Sequence, residues 1–187
     1  MLILASASPR RRELLKSAGY KFKIIPAESE EIIPEAKPEE AAVLTAKSKA
    51  LEVSAKHPDD VILAADTIFF ISGEIMNKPK DEADAFRMLN ILSGARHTVI
   101  TAVCIIYKNR IRSFFGRTSV EFYKLSEDDI DAYIKTGEPF DKAGAYGIQE
   151  KGALLVKGIR GDFYNVMGLP LARTVRELKK FGIEPDI

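Results

Sequence analysis

The segment that follows the first apolar run brings hydroxyl and guanidinium groups together. Leu2 to Ala5 is apolar, and Ser6-Ala7-Ser8-Pro9-Arg10-Arg11-Arg12-Glu13 follows directly. A strand-to-helix turn here would aim free backbone N–H groups and the positive helix end at one point, which favours a phosphate. The serines add hydroxyl donors, and the arginines add charge and bidentate geometry. We therefore predict that the loop from Ser6 to Arg12 grips a phosphate.

The same residues also fit an ordinary helix start. In that interpretation Ser8 caps the helix, Pro9 occupies its first turn and the arginines are solvated. Three consecutive arginines are unfavourable at this end, however, because the helix dipole disfavours positive charge there. An anionic ligand would explain them, so the phosphate interpretation is favoured.

The second candidate is an aspartate inside an apolar strand. Asp66 lies in Ala64-Ala65-Asp66-Thr67, and the apolar run continues through Ile68-Phe69-Phe70-Ile71. A carboxylate in such a run is costly if it is buried without a partner, so it requires a metal, a cation or a functional cleft. Because the run continues, a solvated turn at the end of a strand explains Asp66 less well. We predict that it is catalytic, as a metal ligand or as a general base for water.

Other candidates are scattered along the chain. Glu30 and Glu31 lie in an acidic loop, Lys49 in a long helix and Lys78 in Asn77-Lys78-Pro79. Carboxylates and lysines suit a metal–triphosphate site, although each of these residues alone is usually an ordinary solvated charge. The segment from Phe140 to Gln149 has glycines on both sides of a tyrosine, and its residues alone favour a tight structural loop.

These groups must be positioned by a fold of strands and helices. Some strands are joined by hairpin-like connections and others by crossover-like connections, which predicts an α/β fold with a mixed sheet. Strands are expected at about 22–25, 61–71, 98–107, 111–123 and 153–156. Helices are expected at about 10–18 and 38–56, and from Asp81 to Gly94. A fourth helix is expected from a capping box at Ser126 and Asp129 to Gly137. A last helix is expected from Pro170 to near Gly182, with Leu171, Val175 and Leu178 facing inward.

Composition narrows the class of protein. The 187 residues contain 28 basic and 27 acidic side chains, and this balance argues against a general nucleic-acid binder. A single cysteine, Cys104, excludes an intramolecular disulfide and favours a reducing compartment. No membrane span or signal peptide is recognisable at the start of the chain, so the cytoplasm is the expected location. Neither a nucleotide-binding P-loop nor a dinucleotide fingerprint occurs.

Taken in order, the motifs resemble those of the Maf family of nucleoside triphosphate pyrophosphatases. The matching pieces cover nearly the whole chain: Leu4-Ala5-Ser6-Ala7-Ser8-Pro9-Arg10-Arg11, Ala65-Asp66-Thr67, Asn77-Lys78-Pro79, Leu92-Ser93-Gly94, His97-Thr98-Val99-Ile100-Thr101, Asp141-Lys142-Ala143-Gly144-Ala145-Tyr146-Gly147-Ile148-Gln149 and Gly168-Leu169-Pro170.

The resemblance implies a single domain, residues 1–187, with the elongated two-lobed fold of the inosine triphosphate pyrophosphatases and the substrate in a cleft between the lobes. It implies hydrolysis of a nucleoside triphosphate to the monophosphate and pyrophosphate with Mg²⁺ or Mn²⁺, and a homodimer. Asp66 matches the catalytic acid. Arg10, Thr67 and Gln149 match positions that select substrate, in the combination typical of the dTTP and UTP branch.

The resemblance also assigns the remaining roles. Lys49 and Lys78 match phosphate-contacting positions, and Ser8 and Arg11 belong to the phosphate loop. One loop glutamate should join Asp66 at the metal; Glu30 and Glu31 are adjacent, and we take Glu31. Two alternatives remain: a house-cleaning pyrophosphatase for non-standard purine triphosphates, and a regulatory protein of septum formation that acts by binding.

Overall fold

The fold is described from a computed structural model, which covers residues 1–28 and 36–186. Seven strands form one sheet: β1 (Leu2–Leu4), β2 (Lys23–Ile24), β3 (Val61–Ile71), β4 (Glu74–Met76), β5 (Arg96–Tyr107), β6 (Arg110–Phe122) and β7 (Val156–Arg160). The strand order is β2-β1-β3-β5-β6-β7, and β4 pairs with β3. Strand β1 runs parallel to β2 and β3, whereas the β3–β4 and β6–β7 pairs are antiparallel. The predicted α/β fold with a mixed sheet is confirmed.

Six α-helices accompany the strands in the described part of the chain: α1 (Pro9–Ser17), α2 (Pro38–Lys56), α3 (Glu82–Leu92), α4 (Glu127–Ile134), α5 (Phe163–Met167) and α6 (Leu171–Lys179). Their starts follow local chemistry. The Asp81 side chain accepts from the Asp84 N–H, and Ser126 and Asp129 form the predicted capping box. No helix in residues 1–28 or 36–186 is long and apolar enough to cross a membrane.

By their contacts the residues divide into two compact units. The first unit comprises Met1–Thr67, Thr101–Gly116 and Gly168–Ile187. Its core includes the three residues of β1, Leu14 and Leu15 of α1, and an alanine-rich face of α2. Because alanine side chains are small, that face allows the helix backbone to approach its neighbours closely.

The second unit comprises Ile68–Ile100 and Arg117–Met167. Helices α3 and α4 contact each other in it, and each buries an apolar face. An aromatic cluster of Phe69, His97, Phe122 and Tyr146 fills part of its core. The Phe122 and Tyr146 rings meet edge to face with centroids 4.7 Å apart, a favourable geometry for aromatic pairs.

Two predicted elements near the C-terminus were wrong in detail. The strand expected at 153–156 begins only at Val156, because Glu150–Leu155 forms a 3₁₀ helix that leaves the Leu154 side chain 79% exposed. In α6, Leu178 is buried as predicted, but Leu171 and Val175 are only half-buried. Glu177 takes an inward position instead, where Arg112 and Lys180 bind its carboxylate.

Candidate active site

Strand β3 and helix α2 bring the predicted catalytic aspartate and one predicted phosphate lysine together. Lys49 Nζ donates to Asp66 Oδ1 at 2.9 Å, and the two side chains are only 13% and 14% exposed. Lys49 is the cation that a shielded carboxylate in an apolar strand requires, because its positive charge compensates that of Asp66. Because both side chains still reach solvent, Asp66 could exchange Lys49 for a metal ion, and Lys49 could exchange Asp66 for a substrate phosphate.

The start of α1 has the helix cap that the sequence predicts. Ser8 is the N-cap, and its hydroxyl accepts weakly from the Arg11 N–H at 3.5 Å. The capping interpretation therefore holds for Ser8, but its solvated arginines are wrong for Arg11, which is buried. Phosphate binding by the N–H groups, hydroxyls and arginines of this loop stays a prediction. Arg10 is half-buried and Arg12 is exposed.

Arg11 differs from both of its neighbours. Its side chain is buried, and its guanidinium donates to three protein oxygens: Nε to the Gly168 carbonyl at 2.8 Å, Nη1 to Ser6 Oγ at 2.9 Å and Nη2 to Thr67 Oγ1 at 3.0 Å. Thr67 Oγ1 also lies 2.9 Å from Thr101 Oγ1. The structure thus joins Arg11, predicted to bind phosphate, to Thr67, predicted to select substrate.

Thr101 was not singled out by the residue pattern. It lies in an apolar strand where a hydroxyl carries little signal. A signal for the burial of Arg11 did exist, because it lies three and four residues before the buried Leu14 and Leu15, on the same helix face.

The remaining predicted residues lie in the second unit or outside the described residues. Lys78 is exposed after β4, and its neighbour Asn77 accepts through its carbonyl from the Gly144 N–H at 3.1 Å. Gln149 is half-buried at the end of the same glycine-containing loop. Glu30 and Glu31 fall in 29–35, outside the described residues.

The loop that ends at Gln149 is tightly built. Gly144 has φ +75°, a backbone conformation that favours glycine. A Cβ atom there would also lie 2.6 Å from Phe69 Cδ1, which is a second reason for glycine at this position. The Gly147 N–H donates to the Tyr133 hydroxyl at 3.2 Å. Burial raises the pKa of Tyr133 and holds that of Tyr146 well above its usual value. Both phenols are therefore neutral and shape the loop.

Of the two predicted metal ligands, Asp66 and Glu31, only Asp66 lies in the described residues. In the described ranges, no three His, Cys, Asp or Glu side chains converge in a way that could hold a metal ion. Mg²⁺ bound with a nucleotide commonly uses one or two carboxylates and completes its shell with phosphate oxygens and water. The shielded carboxylate of Asp66 fits that donor type.

Comparison with known proteins agrees with this arrangement of motifs. The model of the family described as Maf-like protein matches residues 1–181. The chain belongs to the Maf family. Two relatives named dTTP/UTP pyrophosphatase align over 184 residues: one from Bacillus velezensis is 53% identical, covering 98% of this chain and 97% of its own, and one from Bacillus cereus is 49% identical, covering 98% and 96%.

Among solved structures, a dITP/XTP pyrophosphatase from Mycobacterium abscessus aligns with this Maf-family chain at a TM-score of 0.44 and 13% identity. The alignment covers 96% of this chain and 97% of the other.

Proposed function

We propose that this Maf-family protein hydrolyses dTTP and UTP to the nucleoside monophosphate and pyrophosphate. The observation that carries the proposal is the shielded Lys49–Asp66 pair, which places a carboxylate and an ammonium group 2.9 Å apart beside the predicted substrate-selecting Thr67. Identity of about half to relatives named for this activity, over nearly the full chain, supports the choice of substrate.

Asp66 is the proposed general base. Its carboxylate accepts a proton from the water that attacks the α-phosphorus, and the oxygen bridging to the β-phosphorus leaves with pyrophosphate. Lys49 holds the carboxylate in place when no substrate is bound, and it can transfer its hydrogen bond to a phosphate oxygen when substrate binds. Its positive charge then stabilises the charge that accumulates on the leaving group.

Phosphate binding is assigned to the N–H groups at the start of α1, which Ser8 caps, and to Lys49 and Lys78. Arg10, Thr67 and Gln149 are proposed to read the base. Asp66, with Glu31, would hold Mg²⁺ or Mn²⁺. A divalent cation of this kind neutralises triphosphate charge and polarises the phosphoryl oxygens. We place the reaction in the cytoplasm, where nucleoside triphosphates are abundant.

A nucleotide panel tests the proposal. Pyrophosphate release is measured for dTTP, UTP, CTP, dGTP, ITP and XTP, with Mg²⁺ and with Mn²⁺. Reactions in ¹⁸O-labelled water identify the phosphorus that water attacks. We expect dTTP and UTP to be the best substrates, with one labelled oxygen in the monophosphate. Preference for ITP or XTP would favour the purine house-cleaning alternative. Label in pyrophosphate or in inorganic phosphate, rather than in the monophosphate, would contradict attack at the α-phosphorus.

A further inference from the structure

Arg11, which we predict from the sequence to bind phosphate, has a different environment from the arginines on either side of it. Its side chain is 9% exposed, although it lies between a half-buried and an exposed arginine. The guanidinium nitrogens donate to Ser6, Thr67 and Gly168 at 2.8 to 3.0 Å. Turning this side chain toward a phosphate would break three hydrogen bonds and leave buried acceptors unsatisfied, which is costly. The geometry therefore favours a role that Arg11 performs from its buried position.

That role follows from the hydrogen-bonding capacity of Thr67. A threonine hydroxyl has one O–H donor and two acceptor lone pairs, and it rotates to suit its partners. One lone pair of Thr67 Oγ1 accepts from Arg11 Nη2. The fully buried Thr101 hydroxyl lies 2.9 Å away. Either hydroxyl could donate across this contact. When Thr101 donates to Thr67, both lone pairs are occupied, and only the Thr67 O–H remains for a ligand.

Ser6 has the same pattern within the phosphate loop. Its oxygen accepts from Arg11 Nη1 at 2.9 Å and from the Ser8 N–H at 3.3 Å. Two acceptor positions are filled, so its own O–H is the group that remains available. One guanidinium therefore biases two hydroxyls toward donation to oxygen acceptors.

We propose that Arg11 is a positioning residue that, together with Thr101, fixes the Thr67 hydroxyl as a hydrogen-bond donor to the 4-carbonyl oxygen of a uracil or thymine base. This rests on the proposed function and deepens it. A freely rotating hydroxyl could also accept from the 4-amino group of cytosine, and it would discriminate little. A hydroxyl held as a donor meets a second donor in cytosine, and the unfavourable pairing rejects that base.

The test compares UTP with CTP, which differ in the base only at position 4 and the adjacent N3. The ratio of their kcat/KM values is measured for the wild type, Arg11→Lys, Thr101→Val and Thr67→Val, and for the double variant Arg11→Lys/Thr67→Val. We expect the UTP/CTP ratio to fall about tenfold in Arg11→Lys, the size of one hydrogen-bond contribution. Thr101→Val should lower it in the same direction.

The double variant separates positioning from a general structural role. If Arg11 acts through Thr67, Arg11→Lys changes the ratio no further once the Thr67 hydroxyl is gone. A phosphate contact or a merely structural role would lower kcat/KM for both nucleotides by the same factor and leave the ratio unchanged. Either that result, or effects that multiply in the double variant, would overturn the inference.

Controls keep the test decisive. Lys16→Gln changes an exposed cation on the same helix and should leave both rate and ratio unchanged. If Arg11→Lys fails to fold by thermal melting, the nearly isosteric Thr101→Val carries the same prediction. Dissociation constants for α,β-methylene analogues of UTP and CTP give a second readout. Preferential binding of the UTP analogue without hydrolysis would refute the proposed function alone. A wild type that prefers UTP to CTP, with the same UTP/CTP ratio in Arg11→Lys and Thr101→Val, would refute the inference alone. Binding of neither analogue would refute both.

Discussion

Acidification should destabilise the second unit through His97. This side chain is 3% exposed, its Nε2 lies 2.7 Å from the Tyr146 hydroxyl, and its Nδ1 has no hydrogen-bond partner among the described residues. Phe69 and Phe122 supply neighbouring rings. Burial lowers the pKa of His97 from 6.5 to about 4, because a charged imidazolium would lose its hydration in this cluster.

The change in folding stability with pH follows from the different proton affinities of His97 in the folded and unfolded chains. The unfolded chain binds the proton more readily than the folded chain, so the contribution of neutral His97 to stability is complete above about pH 6.5. It decreases as the pH falls through 6.5 and is fully lost below about pH 4. Between pH 7 and pH 5 the loss is about 2 kcal/mol, with a limit of about 3 kcal/mol at lower pH, at 1.36 kcal/mol per pKa unit.

The assay is urea unfolding followed by circular dichroism at pH 7 and pH 5, for the wild type and for His97→Gln. Glutamine keeps a polar group but does not titrate, and the contributions of other ionisable groups cancel in the difference. We expect the advantage of the wild type over the variant to shrink by about 2 kcal/mol at pH 5. An NMR titration of the His97 ring provides a direct check. An equal advantage at both pH values, or a ring that titrates near 6.5, would refute the reasoning.

Two further predictions concern packing. Gly152→Ala should lower the melting temperature, with a cost of about 1–3 kcal/mol, because a Cβ atom would clash with the Gly147 carbonyl and lie 2.8 Å from the Tyr133 hydroxyl. Gly158→Ala is the matched control, since a Cβ atom at that residue would meet nothing within 4 Å, and an equal loss in both variants would contradict the packing argument. The thiol of Cys104 is fully buried, and that burial raises its pKa. It should therefore react with a disulfide reagent far more slowly in the native protein than in urea. Equal reaction rates in the two conditions would contradict the burial of Cys104.

Elements with strong local chemistry could be predicted from the sequence. The capping box at Ser126 and Asp129, the proline at the start of α2 and the apolar run of β3 all act over a few residues, and each element was found. Elements without such signals were missed or misplaced. Helix α5 has only five residues and was not predicted. The strand predicted at 153–156 shares only Val156 with β7, because β7 is exposed over most of its length and lacks an apolar face that would mark its bounds.

The same distinction applies to the site. Asp66 stands out locally, because a carboxylate interrupts an apolar run. Its partner Lys49 lies 17 residues away and is one of many lysines, so only the fold pairs them. Arg11 is held by Gly168, 157 positions along the chain. Helical spacing could indicate that Arg11 faces inward, but no local pattern specifies which oxygens it meets.

Turnover of dTTP by Asp66→Asn, measured beside Asp59→Asn and the wild type, tests the proposed mechanism most directly. Asp59 is exposed just before the same strand, so its variant controls for the loss of one carboxylate. We expect Asp59→Asn to match the wild type. We expect Asp66→Asn to lose at least about 100-fold in kcat, the lower end for general-base catalysis, while it melts as a folded protein. Full dTTP hydrolysis by folded Asp66→Asn would contradict the assignment of catalysis to this carboxylate.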